Sequence, residues 1–228
     1  VPVKGTSVLF CIWETRVEDY DAFLAGSGRT QDAIVPFEQG TDHPVVLVSW
    51  EDASAFCSWL SKKEGLQYRL PTDAEWDVAI GKSKFPWGDE LQPPTGSENV
   101  AGDEVATPGG KESRLPKRGY QDNHPRTAPV GSYRANRFGL FDLGGNVREW
   151  TNDWFTEDIY RLHLAGGGSD FQAGDQAAIK AGQTLHVVRG GSWRSYGIQL
   201  LSAARAGYGA NEKQEWLGFR CVLVLPSQ

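Results

Sequence analysis

The sequence predicts a mixed α+β fold in which few, short regular elements are joined by long irregular loops. Glycine (27 residues) and tryptophan (9 residues) are both frequent among the 228 residues, which is typical of loop-rich folds held by large aromatic anchors. No long helical periodicity is present, which argues against a helical bundle. Because we find neither an internal repeat nor a linker, we expect one domain over residues 1–228.

Three short helices are predicted from their capping boxes, in which a Ser or Thr is followed three residues later by an acid. These pairs are Thr15 with Glu18, Ser49 with Asp52, and Thr72 with Glu75. Gly65 and Gly81 follow the second and third helices and are expected to end them. Short strands are predicted over Val8–Ile12, Val45–Val48, His186–Arg189 and Gly218–Leu225.

Two regions lack a periodic pattern. The stretch 85–130 is rich in Pro, Gly and polar residues, and a loop of this length needs a source of order, which a bound metal would supply. Gly166–Ala181 has the weakest pattern, and we expect it to be a surface excursion.

Composition narrows the range of partners. The net charge of -6 and the absence of a Lys/Arg run predict no nucleic-acid binding. No run of 18 apolar residues occurs, so we expect no membrane insertion. The chain begins at Val1 and contains no Met, which indicates a processed protein or part of a larger multidomain chain. The compartment, cytoplasmic or extracytoplasmic, stays open.

The three cysteines, Cys11, Cys57 and Cys221, are sparse and odd in number, which argues against a disulfide framework. One disulfide with a free thiol is compatible with the sequence, and three buried thiols are favoured. Four arginines beside aromatic and acidic residues are expected to form structural ion pairs; they are Arg69, Arg189, Arg205 and Arg220. Neither glycine pair, Gly144-Gly145 or Gly190-Gly191, lies in a phosphate-loop motif, so both are expected to permit close backbone approach.

Seven motifs follow one another along nearly the whole chain. They begin at His43-Pro-Val-Val-Leu-Val-Ser-Trp, Tyr68-Arg-Leu-Pro-Thr-Asp-Ala-Glu-Trp, Pro86-Trp-Gly-Asp, Thr127-Ala-Pro-Val-Gly-Ser, Phe138-Gly-Leu-Phe-Asp-Leu-Gly-Gly-Asn-Val-Arg-Glu-Trp, Arg189-Gly-Gly-Ser-Trp and Gly218-Phe-Arg-Cys. In this order they resemble the formylglycine-generating enzyme (sulfatase-modifying factor) family. The resemblance implies an elaborated C-type-lectin-like fold. It also implies a range of known roles: copper-dependent oxidases, iron-dependent sulfoxide synthases, appendages of bacterial serine/threonine kinases and retroelement-diversified display proteins. The N-terminal segment is most similar to the kinase-attached copies.

The catalytic cysteines that the resemblance calls for are missing. The family's oxidase carries two of them in the segment after Gly-Gly-Ser-Trp, where this chain has Ser195 and no cysteine between Trp193 and Arg205. The His-x3-His-x-Glu run of the iron-dependent relatives is also absent. We therefore expect no catalytic residue, no copper and no iron, and a divergent oxidase is kept as an alternative.

The resemblance does imply structural calcium, a cation that takes oxygen ligands. The residues matching one site are Asn99, Val100 (carbonyl), Asp122 and His124 (carbonyl), and those matching a second are Gly144, Gly145, Val147 and Glu149. The alternative is that Asn99 and Asp122 cap turns and that Glu149 pairs with an arginine.

The surface that would face the substrate in the enzymes is polar with interspersed aromatics, a composition suited to adaptable recognition. We call the segment Trp193–Trp216 the groove. Its candidate ligand-binding residues are Arg194, Ser195, Tyr196, Gln199, Tyr208, Asn211, Glu215 and Trp216. The sequence thus predicts a non-catalytic ligand- or protein-binding domain, for example the sensory part of a bacterial kinase. The alternatives are a retroelement-diversified display protein and an ordinary solvated loop at this position.

Overall fold

The computed structural model describes residues 1–104, 119–156 and 184–225. It confirms a mixed fold with few helices. The helices are α1 (Val17–Ser27), α2 (Trp50–Glu64) and α3 (Asp73–Ile80), and the strands are β1 (Val8–Phe10), β2 (Tyr68–Arg69), β3 (Arg148–Trp154), β4 (Leu185–Arg189), β5 (Arg205–Gly209), β6 (Leu217–Gly218) and β7 (Val222–Val224). Gly166–Ala181 lies outside the described residues. None of the helices described is both long enough and apolar enough to span a bilayer.

The described strands form two sheets. The first has the order β1-β7-β2 and is antiparallel, with Leu9 opposite Leu223. The second has the order β5-β4-β3-β6, in which β3 and β6 run parallel and the other pairs antiparallel. The predicted strand at His186–Arg189 is therefore β4, which lies inside the second sheet.

The capping boxes predicted for α2 and α3 are present. The Ser49 hydroxyl accepts a hydrogen bond from the Asp52 N–H, and the Thr72 hydroxyl accepts one from the Glu75 N–H, both at 3.1 Å. Gly65 ends α2 in the left-handed conformation, with φ 68°. Such caps satisfy backbone groups that have no partner inside the helix.

The predicted start of α1 is wrong by one residue. Arg16, not Thr15, is the N-cap, and the Asp19 carboxylate accepts from the Arg16 N–H at 3.2 Å. Thr15 is instead tied to the chain on either side of it in space. Its N–H donates to the Phe219 carbonyl (2.8 Å) and its carbonyl accepts from the Val45 N–H (2.9 Å).

Two predicted strands also need correction. Val45–Val48 is not a strand, because Leu47 has φ 56° and its N–H donates to the Gln214 carbonyl across the fold. Gly218–Leu225 is divided between the two sheets as β6 and β7. The break falls at Arg220, whose side chain is fully buried and points at Glu149. β1 likewise ends at Phe10 instead of Ile12.

Three hydrophobic clusters fill the described interior. The first lies between α1, α2 and the sheets, the second between α3, β1 and β7, and the third beneath the irregular loops. Their central members are Phe23, Phe56, Trp150 and Phe219; Phe10, Trp76 and Leu140; and Phe85, Val100 and Tyr120. Within the described parts of residues 85–130 there is no helix or strand, so the third cluster and side-chain hydrogen bonds hold this region.

The four arginines are ion-paired as predicted. The pairs are Arg69 with Glu75 (2.7 Å), Arg189 with Asp77 (2.6 Å), Arg205 with Asp73 (2.7 Å) and Arg220 with Glu149 (2.7 Å). The glycine pairs also do what was expected. A Cβ on Gly145 would overlap the Asn99 backbone, and one on Gly191 would overlap the Gly144 carbonyl.

Candidate functional site

The groove begins with a tight turn after β4. The Trp193 N–H donates to the Asn146 carbonyl (2.9 Å), and the Ser195 N–H donates to the Ser192 carbonyl (2.8 Å). The Trp193 indole N–H reaches the Glu215 carbonyl at 3.3 Å, which ties the two ends of the groove together. With 3 % of its surface exposed, Trp193 is an anchor on which the exposed side chains rest.

Ser195 lies beneath the groove and is 1 % exposed. Its hydroxyl accepts from the Ser192 N–H and contacts the Ser192 hydroxyl, both at 3.0 Å, while its carbonyl accepts from the Ala101 N–H. A serine nucleophile needs an adjacent base. The hydrogen bonds of Ser195 lead to another serine and to backbone, so the residue holds the turn.

Two arginines bracket the Trp193 ring. The Arg126 guanidinium lies 4.4 Å from the ring centroid and also over Phe37 (5.9 Å). Arg194 lies over Trp193 (5.8 Å) and Trp216 (6.0 Å), and it faces Glu215 at 3.7 Å. The sequence did not indicate Arg126 or Phe37, because both come from distant segments without a local pattern.

The remaining predicted groove residues divide into two groups. The Tyr208 ring contacts Trp216 (5.4 Å) and Trp150 (6.4 Å), so it links the groove to the first hydrophobic cluster. Asn211 is exposed, and its amide nitrogen, when turned toward Glu51, lies 2.8 Å from that carboxylate. Tyr196 and Gln199 stand on a 3-10 turn over Gly197–Leu200, where the Gln199 side chain accepts from the Tyr196 N–H. The structure therefore brings Arg194, Tyr208, Glu215 and Trp216 together.

The first predicted calcium site contains buried oxygen atoms without a donor. Asn99 is fully buried; its amide N–H₂ donates to the Arg126 carbonyl (2.8 Å) and to Asn146 (3.2 Å), while its Oδ1 has no partner. The Asp122 carboxylate accepts from the Val100 and His124 N–H groups at 3.0 and 2.9 Å. Asp122 thus caps a turn, as the alternative reading had it, and stands beside the carbonyl-bearing residues of the predicted site.

Glu104 adds a second carboxylate that the sequence did not indicate. Both of its oxygens are buried without a hydrogen-bond partner. Burial raises the pKa of Asp122 to about 7, and the nearby Glu104 carboxylate raises it further against the effect of the backbone donors. A donor-poor group of carboxylate and amide oxygens fits a hard cation such as Ca²⁺. Within the described ranges no three His, Cys, Asp or Glu side chains converge as a metal-ligand group, so such an ion would also depend on amide and carbonyl oxygens.

The second predicted calcium site is different, because its carboxylate is already paired. The Glu149 oxygens accept from Arg220 Nη2 and Nε, both at 2.7 Å, and from the Trp76 indole N–H at 3.1 Å. Burial lowers the pKa of Arg220, but the Glu149 charge more than offsets this and the pKa is raised. The ion-pair alternative for Glu149 is thus the one observed. Gly144, Gly145 and Val147 lie in the tightly packed turn before it, where the Val147 N–H donates to Glu14.

The cysteines lie apart from the groove. Cys57 on α2 and Cys221 are buried with their sulfur atoms 3.3 Å apart, and both are free thiols. Cys11 is half-buried rather than buried, and burial raises the pKa of its thiol to about 12. These three residues belong to the wall between α2 and the first sheet.

Comparison with known proteins agrees with this geometry. A family model described as "Sulfatase-modifying factor enzyme 1-like domain" matches residues 11–225. The formylglycine-generating enzyme of Streptomyces coelicolor is 36% identical over 201 residues, covering 79% of this chain and 52% of the relative. The serine/threonine-protein kinase Pkn1 of Chlamydia trachomatis is 32% identical over 222 residues, covering 94% and 30%. A Bos taurus protein named inactive C-alpha-formylglycine-generating enzyme 2 is 31% identical over 192 residues, covering 79% and 50%.

Solved structures give the same result for the fold. PvdO from Pseudomonas aeruginosa superposes with a TM-score of 0.73 at 26% identity, covering 95% of this chain and 80% of the other. Treponema denticola variable protein 1 superposes with a TM-score of 0.62 at 19% identity, covering 93% and 82%, which is a likeness of fold alone. This chain spans about half or less of the length of the curated relatives named above. Its ordered motifs, its folded core and the match over residues 11–225 together place the chain in the sulfatase-modifying factor enzyme 1-like domain family.

Proposed function

We propose that this chain is a recognition module that binds a protein or small ligand through the groove and does not carry out the oxidase chemistry of its enzymatic relatives. The observation that carries the proposal is the pair of arginines, Arg126 and Arg194, on either side of Trp193. Where the oxidases of the family carry a reactive cysteine, this chain has the buried, hydrogen-bonded Ser195.

The arrangement suits binding because stacking uses only the face of a guanidinium. Its N–H groups point outward from the edge and remain available to a ligand. The side chain of Arg194 is 44% exposed, and Arg126 spends one N–H on the neighbouring Pro125 carbonyl. A ligand that presents carboxylate or carbonyl oxygens would therefore find preorganised donors on an aromatic base.

The wider role follows from the relatives. The Pkn1 relative carries the matching region within a longer kinase chain, which supports a sensory or scaffolding role beside another domain. The relative named inactive supports the idea that members of the family persist without the oxidase activity. The display-protein alternative rests on the fold likeness to the Treponema protein alone.

A structural calcium ion is part of the proposal. It would be held by Asn99 Oδ1, Asp122 and the Val100 and His124 carbonyls, with Glu104 supplying a further carboxylate. Support comes from the unpartnered Asn99 and Glu104 oxygens and from the apposed Asp122 and Glu104 carboxylates. Because Asn99 also holds the Arg126 carbonyl, an ion here would order the loop that presents one groove arginine. We carry the second predicted site no further.

A random peptide library displayed on phage tests the recognition function. Panning against the purified protein is expected to enrich a consensus that carries acidic or carbonyl-rich residues. Peptides bearing the consensus are expected to lose most of their affinity for Arg126→Ala and Arg194→Ala. Arg137→Ala is the matched control, because Arg137 is also exposed and also stacks on an aromatic ring, that of Phe138 at 4.6 Å. Equal loss in the control, or no enrichment at all, would contradict the proposal.

A further inference from the structure

A second pocket lies outside the groove and shares no residue with it. It is bounded by the Pro86-Trp87 turn, the segment 94–98 and the segment 134–143. Its walls are largely apolar, formed by Ile80, Pro86, Trp87 and Leu140. The Trp87 ring is held in place by stacking on Phe85 (5.1 Å) and by its indole N–H, which donates to the Glu90 carbonyl at 2.8 Å.

The polar end of this pocket contains three hydrogen-bond acceptors without a donor. Ser97, Glu98 and Asp142 line it, and each is more than nine-tenths buried, with 8, 7 and 3 % exposed. Ser97 Oγ, Glu98 Oε2 and Asp142 Oδ1 have no partner. The second oxygen of Asp142 accepts from the Gly131 N–H at 2.7 Å, and a Gly144 backbone hydrogen bond serves Glu98. Native proteins rarely leave several such atoms unpaired at one place.

The surroundings also lack positive charge. Glu14 and Glu149 are buried close to Asp142. In the described part of this cluster the buried cation is Arg220, and its guanidinium is already bonded to both Glu149 oxygens and to the Phe141 carbonyl (2.8 Å). Arg134 lines the pocket but is exposed. A buried carboxylate needs a paired cation or a donor, and Glu98 and Asp142 have no ion-pair partner among the described residues.

The shape and chemistry of the pocket decide which cation would fit. Ca²⁺ takes six to eight oxygen ligands, and three acidic side chains do not converge as metal ligands anywhere in the described ranges. A primary ammonium group has three N–H donors, one for each unpaired acceptor. Its methylene stem would lie along the apolar walls, where the Trp87 face adds cation–π attraction.

We propose that this pocket binds a primary alkylammonium group, either a free amine or a lysine side chain, with the nitrogen at Ser97, Glu98 and Asp142 and the alkyl stem between Pro86 and Trp87. Charge-assisted hydrogen bonds to both carboxylates would supply most of the selectivity over a neutral ligand.

Calorimetric titration of the protein with n-butylammonium chloride, at constant ionic strength and with calcium present throughout, tests the proposal. We expect saturable binding to one site and no binding of n-butanol, which has the same stem without the charge. Glu98→Gln keeps the shape of the side chain and should weaken butylammonium binding about ten-fold or more, as expected for the loss of a charge-assisted hydrogen bond. Asp21→Asn is the control, because Asp21 is exposed on α1 and outside the pocket; its dissociation constant should match the parent.

Ala135→Trp provides a second test that leaves every carboxylate in place. Ala135 is a half-buried wall residue, and an indole there should block the pocket and abolish binding even if Glu98→Gln does not fold. A peptide, N-acetyl-Gly-Lys-Gly-amide, distinguishes a protein lysine from a free amine, according to which of the two binds more tightly. The proposal is overturned if butanol binds as well as butylammonium, if Ala135→Trp binds like the parent, or if calcium displaces the amine competitively.

Discussion

Single residues in the groove have different duties, which their contacts distinguish. Trp193 is buried, hydrogen-bonded at both its backbone and its indole, and covered by two guanidinium groups. Asn211 is exposed at the far end of the same segment. Tyr208 stands between these cases, because its ring reaches the Trp150 cluster. A residue that anchors the groove must therefore be separated from one that only borders it before any binding data are interpreted.

Substitution with alanine should reveal this difference. Trp193→Ala is expected to lower the free energy of unfolding by about 3–5 kcal/mol, because a large buried side chain is removed. Asn211→Ala should stay within about ±0.5 kcal/mol, as exposed positions do, and Tyr208→Ala should fall between the two. Denaturant unfolding of the three variants checks the order. If Asn211→Ala proves as destabilising as Trp193→Ala, the outer end of the groove is part of the core.

His186 makes a second prediction at this scale. Its ring is stacked between Trp50 (3.9 Å) and Trp154 (4.1 Å), and its Nδ1 has no partner. Burial lowers the pKa of His186 from 6.5 to about 4, and a hydrogen bond with the Asp153 backbone only partly opposes this. The unfolded chain therefore takes up a proton between about pH 6.5 and 4 that the folded protein refuses, so stability falls as the pH drops through this window.

The magnitude of this effect follows from the shift. A pKa difference of this size corresponds to about 3 kcal/mol at most, reached near pH 4, and none above neutrality. His186→Phe keeps a flat ring in the stack and removes the titration. Urea unfolding of both proteins between pH 7.5 and 4 should therefore show the parent losing stability relative to the variant. Parallel curves would mean that His186 is already protonated, or is not buried as described.

At the scale of elements, the irregular loops carry more of the fold than the helices and strands do. The described parts of residues 85–130 contain no regular element, yet they supply Val100 and Tyr120 to the third hydrophobic cluster. They also supply Asn99, Asp122 and Glu104, whose oxygens are only partly satisfied. The order of this loop and the occupancy of the proposed calcium site are thus expected to depend on one another.

Calcium removal should therefore lower the melting temperature. A metal bound only by the folded state adds about 2.7 kcal/mol when its concentration is a hundred times the dissociation constant. EDTA should lower the melting temperature of the parent protein and calcium should restore it. Glu104→Gln should shrink this difference and Asp122→Ala should remove it, whereas Asp21→Asn, on α1, should keep it in full. Equal melting of Asp122→Ala and the parent in both buffers would rule the site out.

How far the sequence reached at this scale depended on whether the signal was local. The α2 and α3 caps depend on residues three apart, so pattern alone located them. The α1 start failed because Thr15 is held by Phe219 and Val45, partners that no local pattern shows. The same reason hid Arg126, Phe37 and Glu104 from the sites. The resemblance compensated in part, since it located the groove and the loop but not the contacts inside them.

For the whole molecule, family membership and the loss of an activity have to be considered together. The scaffold is retained along residues 11–225, including buried ion pairs such as Arg220 with Glu149. The thiols Cys57 and Cys221 lie together between α2 and the first sheet. The groove side of the same scaffold has Ser195 in the turn after Trp193 and no cysteine through Arg205.

We therefore expect no conversion of cysteine to formylglycine. Incubation of the protein with copper(I), oxygen and a peptide carrying a sulfatase modification motif should leave the peptide mass unchanged, because no thiolate pair is available in the groove to hold the metal. The Streptomyces coelicolor enzyme serves as the positive control. Turnover above background in this assay would contradict the recognition proposal and revive the oxidase alternative.

The division of the C-terminal segment between two sheets affects how the chain is made. β7 is the central strand of the first sheet, where it joins β1 to β2, and β6 borders β3 in the second. Val8 pairs with Val224, so the first sheet is closed by residues far apart in sequence. A chain still on the ribosome cannot complete either sheet until residues 217–224 have left the exit tunnel. Folding is consequently a late event for this protein, with slow closure of non-local contacts, and nascent chains depend on protection until then.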